Sequence, residues 1–202
     1  MKLTRWLARV TLVALAMLPA LAAAVDFEVT IDTTPLAGRS GYMALDLLAG
    51  SPGAVNAVQV QSFSSTSTLG TAATLGDVSG SLASTLTLRS SVFFSELLQA
   101  LVFSPGLTRF SLSLGEATVV GGIPDSLSLF LLDTNLAPFA TSDPAGALIL
   151  IDLRPPLTPQ VFGSAFATAT VSVVPEPASV VFLLAGLVAI GCRQKILNSS
   201  HR

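Results

Sequence analysis

The stretch from residue 25 to residue 174 contains no tryptophan, cysteine, histidine or lysine. Without cysteine it cannot form an internal disulfide. Without histidine and cysteine it can build neither a Ser-His-Asp nor a Cys-His catalytic arrangement, and it offers no nitrogen or sulfur ligand for zinc. Without lysine it cannot form a Schiff base with a carbonyl substrate. The remaining composition predicts a protein that is not an enzyme and that carries no cofactor.

Basic charge is scarce in the same stretch. Its four arginines stand against eleven aspartates and glutamates, which gives a net charge of −7, compared with −2 for the whole chain. Binding to nucleic acid depends on Lys and Arg at the phosphates, so this acidic surface disfavours it. The sequence therefore predicts no nucleic-acid partner, and the acidic balance fits a secreted domain.

Residues 1–24 have the layout of a signal peptide. A basic start with Lys2, Arg5 and Arg9 precedes an apolar segment that ends at Pro19. Small residues follow, and they offer cleavage after Ala22 or Ala24. We expect a signal helix here, export through the secretion translocon and removal of the segment by signal peptidase.

The C-terminal segment combines three features in a fixed order. An extended motif with two prolines comes first, and it suits the cleft of a peptidase because proline restricts both itself and the preceding residue. The apolar run from Ala178 to Cys192 has 15 residues. As a helix it would be about 22 Å long, a short membrane span. Arg193 and Lys195 form a basic stop on the cytoplasmic side. The motif consists of Val174, Pro175, Glu176, Pro177, Ala178 and Ser179.

This layout resembles the PEP-CTERM sorting signal of Gram-negative bacteria that make extracellular polysaccharide. In that family an exosortase, a membrane-embedded cysteine transpeptidase, recognises and removes the signal. The resemblance implies that residues 175–202 are a sorting signal with a transmembrane helix and that exosortase is a partner. It also implies a transient stay in the inner membrane, then delivery to the cell surface or to an extracellular polysaccharide matrix such as a biofilm. The alternative is a permanently anchored type I membrane protein.

Between these two segments the sequence predicts strands and turns. Apolar and polar residues alternate with period two, as in half-buried strands, and Gly, Pro and Asp separate the strands. Residues 64–80 are instead predicted to be mainly loop with one short strand. Eight or nine strands predict an all-β domain over residues 25–174, an antiparallel β-sandwich of the jelly-roll type. The predicted strands are 26–32, 42–48, 54–63, 82–88, 107–114, 127–132, 147–153 and 166–173.

One segment departs from this period. Between Ser91 and Leu101 the apolar residues occupy positions 93, 94, 97, 98 and 101, which is the spacing of an amphipathic helix. We therefore predict one short helix in this part of the domain.

Four segments of the domain resemble a recurrent group of PEP-CTERM proteins whose whole ectodomain is one domain of unassigned function. These segments are 76–80, 93–99, 129–133 and 147–152. The resemblance implies a single-domain architecture and the same destination. It implies no catalytic residue.

Two places in the domain are candidate binding sites. Tyr42 is the only tyrosine, it lies near Arg39, and an exposed aromatic ring can stack on a sugar, so Tyr42 is the candidate contact of a carbohydrate-binding or adhesive module. Packing at the rim of the core is its alternative role. Asp133 and Asn135, with Asp143 and Asp152 later in the chain, carry oxygens of the kind that calcium binds. Because Asp and Asn are also common turn formers, no metal is predicted.

Hydrolysis of glycosides needs two carboxyl groups on either side of a cleft. Glu28, Glu96 and Glu116 supply carboxyl groups, but their spacing carries no signature of such a pair. The sequence therefore does not predict this activity.

Overall fold

The structure, a computed structural model, describes residues 25–51, 55–115 and 122–174. These residues form twelve β-strands and one 3-10 turn, Thr34–Leu36. The predicted signal helix and C-terminal transmembrane helix lie outside the described residues. Within the described ranges, no helix has the length and apolar character needed to cross a membrane.

The strands form two antiparallel sheets of six strands each. The first sheet has the order β12-β1-β8-β3-β6-β5, and the second has the order β11-β10-β9-β2-β7-β4. The all-β prediction is thus confirmed. In chain order the strands are β1 Val25–Asp32, β2 Ser40–Leu48, β3 Ala57–Ser65, β4 Thr68–Leu75, β5 Val78–Gly80, β6 Leu86–Arg89, β7 Phe94–Val102, β8 Leu107–Leu114, β9 Ser126–Leu132, β10 Ile149–Asp152, β11 Gln160–Val161 and β12 Thr168–Val174.

The strand pairs are nested along the chain. β1 pairs with β8, β2 with β7, and β3 with β6, so the first strand lies beside the last of this group and the inner strands pair in turn. Successive strands β1, β2, β3 and β4 belong alternately to the first and the second sheet. Strands β9 to β11 extend the second sheet beyond β2, and β12 extends the first sheet beyond β1.

The inward side chains of both sheets form one hydrophobic core. In β1 the alternating residues Phe27, Val29 and Ile31 are 0% exposed, which is the period-two pattern that the sequence predicts. Each such side chain contributes about 1.5–3 kcal/mol by leaving water. Burial of these residues from two facing sheets therefore holds the sheets together, as in a β-sandwich.

The helix predicted between Ser91 and Leu101 is wrong, because Phe94–Val102 is strand β7, which lies between β2 and β4. Its buried residues are Ser95, Leu97, Gln99 and Leu101, a strict period of two. Two of these four inward residues are polar. Apolar and polar residues therefore do not alternate along β7, so its sequence does not show the pattern of a half-buried strand.

Hydrogen bonds explain why the two polar side chains of β7 can be buried. The Ser95 hydroxyl donates to the Arg89 carbonyl oxygen at 2.8 Å and accepts the Asp77 N–H at 3.0 Å. Gln99 donates from Nε2 to the Gly70 carbonyl oxygen at 2.9 Å. A buried polar group that is hydrogen-bonded avoids most of the cost of desolvation.

Strands β4 and β5 occupy the region that the sequence predicted to be mainly loop. β4 is the edge strand of the second sheet, and all eight of its residues are exposed, so neither of its faces needs apolar residues. Gly76 connects β4 to β5 in the other sheet with a φ of +77°, a conformation that glycine adopts without strain. A side chain at this position would also meet the Phe94 carbonyl oxygen.

Candidate functional site

The two sheets present different outward faces. In the first sheet the outward residues of β1 and β8 are polar or charged except Leu107, as expected for a solvated face: Asp26, Glu28, Thr30, Arg109, Ser111 and Ser113. In the second sheet the outward residues of β2, β7 and β9 are largely apolar; Ala44 and Leu132 are buried, and the other five are partly or fully exposed: Tyr42, Ala44, Leu48, Phe94, Leu98, Phe130 and Leu132. We call these residues, with Asp46, Glu96, Ser126 and Ser128 between them, the outer face of the second sheet.

Cross-strand pairing arranges this face in rows. One apolar row runs from Phe130 on β9 through Ala44 on β2 to Leu98 on β7. Ala44 is only 1% exposed, which agrees with its position between two large side chains. Directly opposed outward residues of neighbouring strands lie about 4.5–5.5 Å apart at Cβ, so such a row is a continuous apolar surface.

The next row contains two carboxyl groups. Asp46 on β2 is paired with Glu96 on β7 and with Ser128 on β9. The Asp46 atom Oδ1 is buried and has no hydrogen-bond partner among the described residues. Asp46, Glu96 and Asp152 are the charged residues on the strands of the second sheet, so these strands carry no basic group.

This environment favours the neutral form of Asp46. Burial, together with the smaller effect of the negative charge on Glu96, raises the pKa of the Asp46 carboxyl to about 7. Asp46 therefore titrates near neutral pH, where an ordinary aspartate is fully ionised. A change of charge at this position takes place in the middle of an apolar surface.

Tyr42 lies at one end of the same face. It lines a groove of about 240 Å³ together with Thr68, Leu69, Val102 and Thr134. Arg39, its neighbour in sequence, does not line this groove, because its guanidinium lies over the ring of Phe166, 5.6 Å from the centroid. Ligand pockets usually enclose about 300–1,000 Å³, so this groove is smaller than a usual ligand site.

The structure describes one residue of the sorting motif. Val174 is the last residue of β12, it is 40% exposed, and it pairs with Asp26. β12 is the edge strand of the first sheet, so one side of its backbone has no strand partner in that sheet. The remaining motif residues 175–179, the basic stop at Arg193 and Lys195, and the cleavage sites at Ala22 and Ala24 lie outside the described residues.

Two of the calcium candidates, Asp133 and Asp143, accept hydrogen bonds within turns. Asp133 accepts the N–H groups of Asn135 and Ala137 at 2.8 and 2.9 Å through one carboxylate oxygen, and these bonds lower the pKa of Asp133. Asp143 accepts the Ala147 N–H at 2.9 Å. Asp152 is the exposed last residue of β10. Over the part of the chain that the structure describes, no three His, Cys, Asp or Glu side chains are grouped so that they could hold a metal ion.

The candidate glycosidase carboxylates are not brought together. Glu28 lies on the outer face of the first sheet, and Glu96 lies on the outer face of the second. Glu116 lies outside the described residues. The two described glutamates therefore do not face one cleft.

Sequence reasoning did not find the Asp46–Glu96 pair. The available signal was an acidic residue at a polar position within two apolar segments, residues 42–48 and 94–102. The second segment was predicted to be a helix, so its pairing with β2 was not foreseen. Only the register of β2 and β7 brings the two carboxyl groups side by side.

The chain matches no protein-family model, no curated protein and no solved structure.

Proposed function

We propose that this is an exported surface or extracellular-matrix protein that an exosortase sorts at its C-terminal Pro-Glu-Pro motif. The observation that carries the proposal is the order of Pro175-Glu176-Pro177, the apolar run to Cys192, and the basic residues Arg193 and Lys195. The described fold is compatible with it, because the last residue of β12 is Val174, the first residue of the motif, and Pro175 follows it directly. A peptidase would therefore find its substrate directly after an edge strand.

The domain acts in this proposal by binding and not by catalysis. It lacks the histidine, cysteine and lysine on which most nucleophilic and acid–base sites depend. We infer that it is a jelly-roll sandwich, because the nested pairs β1·β8, β2·β7 and β3·β6 and the alternation between sheets are those of that topology. Association with extracellular polysaccharide is its proposed setting.

The sorting proposal is tested by changing Pro175, Glu176 and Pro177 together to alanine in the full chain, expressed in its own host. The variant should stay in the membrane fraction with residues 175–202 attached, whereas the unchanged protein should be released with a mass that ends near residues 174–178. The matched control replaces three exposed outward residues of β12, Thr168, Thr170 and Ser172, by alanine. This control should be sorted normally.

Two results would contradict sorting. If the alanine variant is released and trimmed at the same place, the Pro-Glu-Pro motif is not the recognised element. If the unchanged protein still contains His201 and Arg202 in the presence of a working exosortase, the C-terminal segment is a permanent type I anchor. Intact mass measurement distinguishes these results because each gives a different C-terminus.

Carbohydrate binding at Tyr42 is a second candidate function, and the groove that Tyr42 lines favours it. The test is retention of the protein on the host's own extracellular polysaccharide. Tyr42→Ala should abolish retention, whereas Tyr42→Phe should keep most of it, because stacking on a sugar needs the ring and not the hydroxyl. Equal retention of both variants and the unchanged protein would exclude Tyr42 as the contact.

A further inference from the structure

We propose that two copies of this chain associate through the outer face of the second sheet and that each copy takes up a proton on Asp46 when they do so. This inference goes beyond sorting, since it concerns what the domain does after export. It rests on the composition, size and charge of that face.

The size of the face fits a dimer. Strand β2 has 9 residues, about 30 Å at roughly 3.3 Å per residue. The five neighbouring strands from β10 to β4 span about 24 Å at a spacing of about 4.8 Å. Because β10 has only 4 residues and β9 only 7, the five strands together cover about 600 Å², the lower end of the roughly 600–1,000 Å² that each partner buries in an interface of standard size. One such face can therefore cover another of the same kind.

The chemistry of the face suits a protein surface better than a glycan. Its central row consists of Phe130, Ala44 and Leu98, which offer no hydrogen bond to a sugar hydroxyl. Its strands carry no basic residue, so an anionic polymer would be repelled. An apolar protein surface remains, and the row of Phe130, Ala44 and Leu98 in a second copy is such a surface.

Asp46 favours an identical partner for a further reason. In a two-fold interface the same patch meets itself, so residues near the centre of the face approach their own counterparts. A protonated carboxyl group both donates and accepts a hydrogen bond, and it is therefore complementary to another protonated carboxyl group. Because the Asp46 atom Oδ1 is buried within its own chain, the second copy would meet the other oxygen of the carboxyl group.

Proton uptake follows from the groups around Asp46. Glu96 on β7 faces it with a negative charge, Ser128 on β9 is uncharged, Leu75 on β4 lies beyond Glu96, and Leu150 on β10 lies beyond Ser128. Among the described residues no cation on these strands can neutralise an ionised Asp46. Covering the face therefore requires the neutral form.

The size of the pH effect follows from the titration of Asp46. With a pKa of about 7, about ten carboxyl groups in eleven are neutral at pH 6, and about one in eleven is neutral at pH 8. Since both copies must be neutral, the association constant should fall about a hundredfold between pH 6 and pH 8. The interface should form in mildly acidic surroundings and loosen in alkaline ones.

The test places one cysteine at the centre of each outer face in the full chain, with Cys192→Ser so that no other thiol is present. Ser128→Cys lies beside Asp46 on the second sheet, and the matched control Ser111→Cys lies on the first sheet. Both serines are partly exposed outward residues of strands, so each variant exchanges a hydroxyl for a thiol of similar size. A short bismaleimide is applied at pH 7 to intact host cells and to the extracellular fraction.

Ser128→Cys should give a cross-linked product of twice the chain mass, at least tenfold more than Ser111→Cys gives. At pH 8 the yield from Ser128→Cys should fall, and adding Asp46→Asn should restore it. No dimer from Ser128→Cys, an equal yield from both cysteines, or a product whose mass identifies a different protein would overturn the proposal. A yield at pH 8 that Asp46→Asn does not change would overturn the role of Asp46. The test of the dimer does not depend on sorting, because cross-linking is measured both on intact cells and on released protein.

Discussion

Replacing Asp46 by asparagine should stabilise the folded protein at pH 8 and change its stability little at pH 4.5. The folded protein raises the pKa of Asp46 from 3.8 to about 7, so it binds more protons at this site than the unfolded chain does between these values. The stability of the unchanged protein should therefore fall as the pH rises from about 4 to 7 and then level off. The asparagine side chain has no charge to desolvate, so the variant should not show this fall.

The magnitude can be worked from the shift. About three pKa units at about 1.4 kcal/mol each would give an upper limit of about 4 kcal/mol. Asp46 is partly exposed, so solvent screening reduces this figure, and we expect about 2 kcal/mol at pH 8. For a domain of about 150 residues this corresponds to a rise in Tm of about 4–8 °C.

The assay is urea unfolding of the purified protein at several pH values from 4.5 to 8, at concentrations too low for association. The control is Asp152→Asn, which removes an exposed charge from β10 of the same sheet and should change stability by less than about 0.5 kcal/mol. The lower limit of pH avoids the range in which Asp32 and Asp133, whose pKa values are lowered by hydrogen bonds, lose their stabilising effect. If Asp46→Asn shows the same dependence on pH as the unchanged protein, our account of this carboxyl group is wrong.

Three further predictions concern the scaffold. Asp125 accepts the Gly50 N–H and the Asn56 side-chain N–H, both at 2.8 Å. Asp125→Ala should therefore lower the free energy of unfolding by about 2–4 kcal/mol. A loss below about 1 kcal/mol in urea unfolding would contradict this. Phe27→Ala should lower it by about 3–5 kcal/mol in the same assay, because its side chain is fully buried, whereas Thr30→Ala on the opposite face of β1 should change it little. Calcium should leave the Tm unchanged, because Asp133 already caps a turn, and a rise of several degrees that a chelator reverses would restore Asp133 and Asn135 as ligands.

Strands whose buried side chains are nearly all apolar were predictable from the sequence. β1 alternates apolar inward residues with polar outward ones, β8 does so from Arg109 to Leu114, and the predicted bounds of both agree with the structure to within one residue. β7 was not predictable in this way, because Ser95 and Gln99 point into the interior while Phe94 and Leu98 point outward. A local sequence pattern therefore indicates which residues are buried only where the buried residues are apolar and the exposed residues are polar.

The outer face of the second sheet could not be predicted from the sequence either. Tyr42 was singled out from the sequence because it is the only tyrosine, but nothing in the sequence placed it on an apolar face beside a groove. That face exists because β2 lies between β7 and β9 in one particular register. A shift by one residue would turn Asp46 towards the core, so the register determines what the face is.

The sequence by itself determined the all-β class, the acidic and histidine-free chemistry of the domain, and the order of motifs that predicts export and sorting. These properties are local or compositional, so they can be recognised without knowing which residues meet in space. Only the tertiary structure decided that β7 is a strand, that one outer face is polar and the other apolar, and that Asp46 lies beside Glu96. These features depend on contacts between residues that are distant in the chain. Asp46 and Glu96, for example, are 50 positions apart, and they meet because β2 pairs with β7.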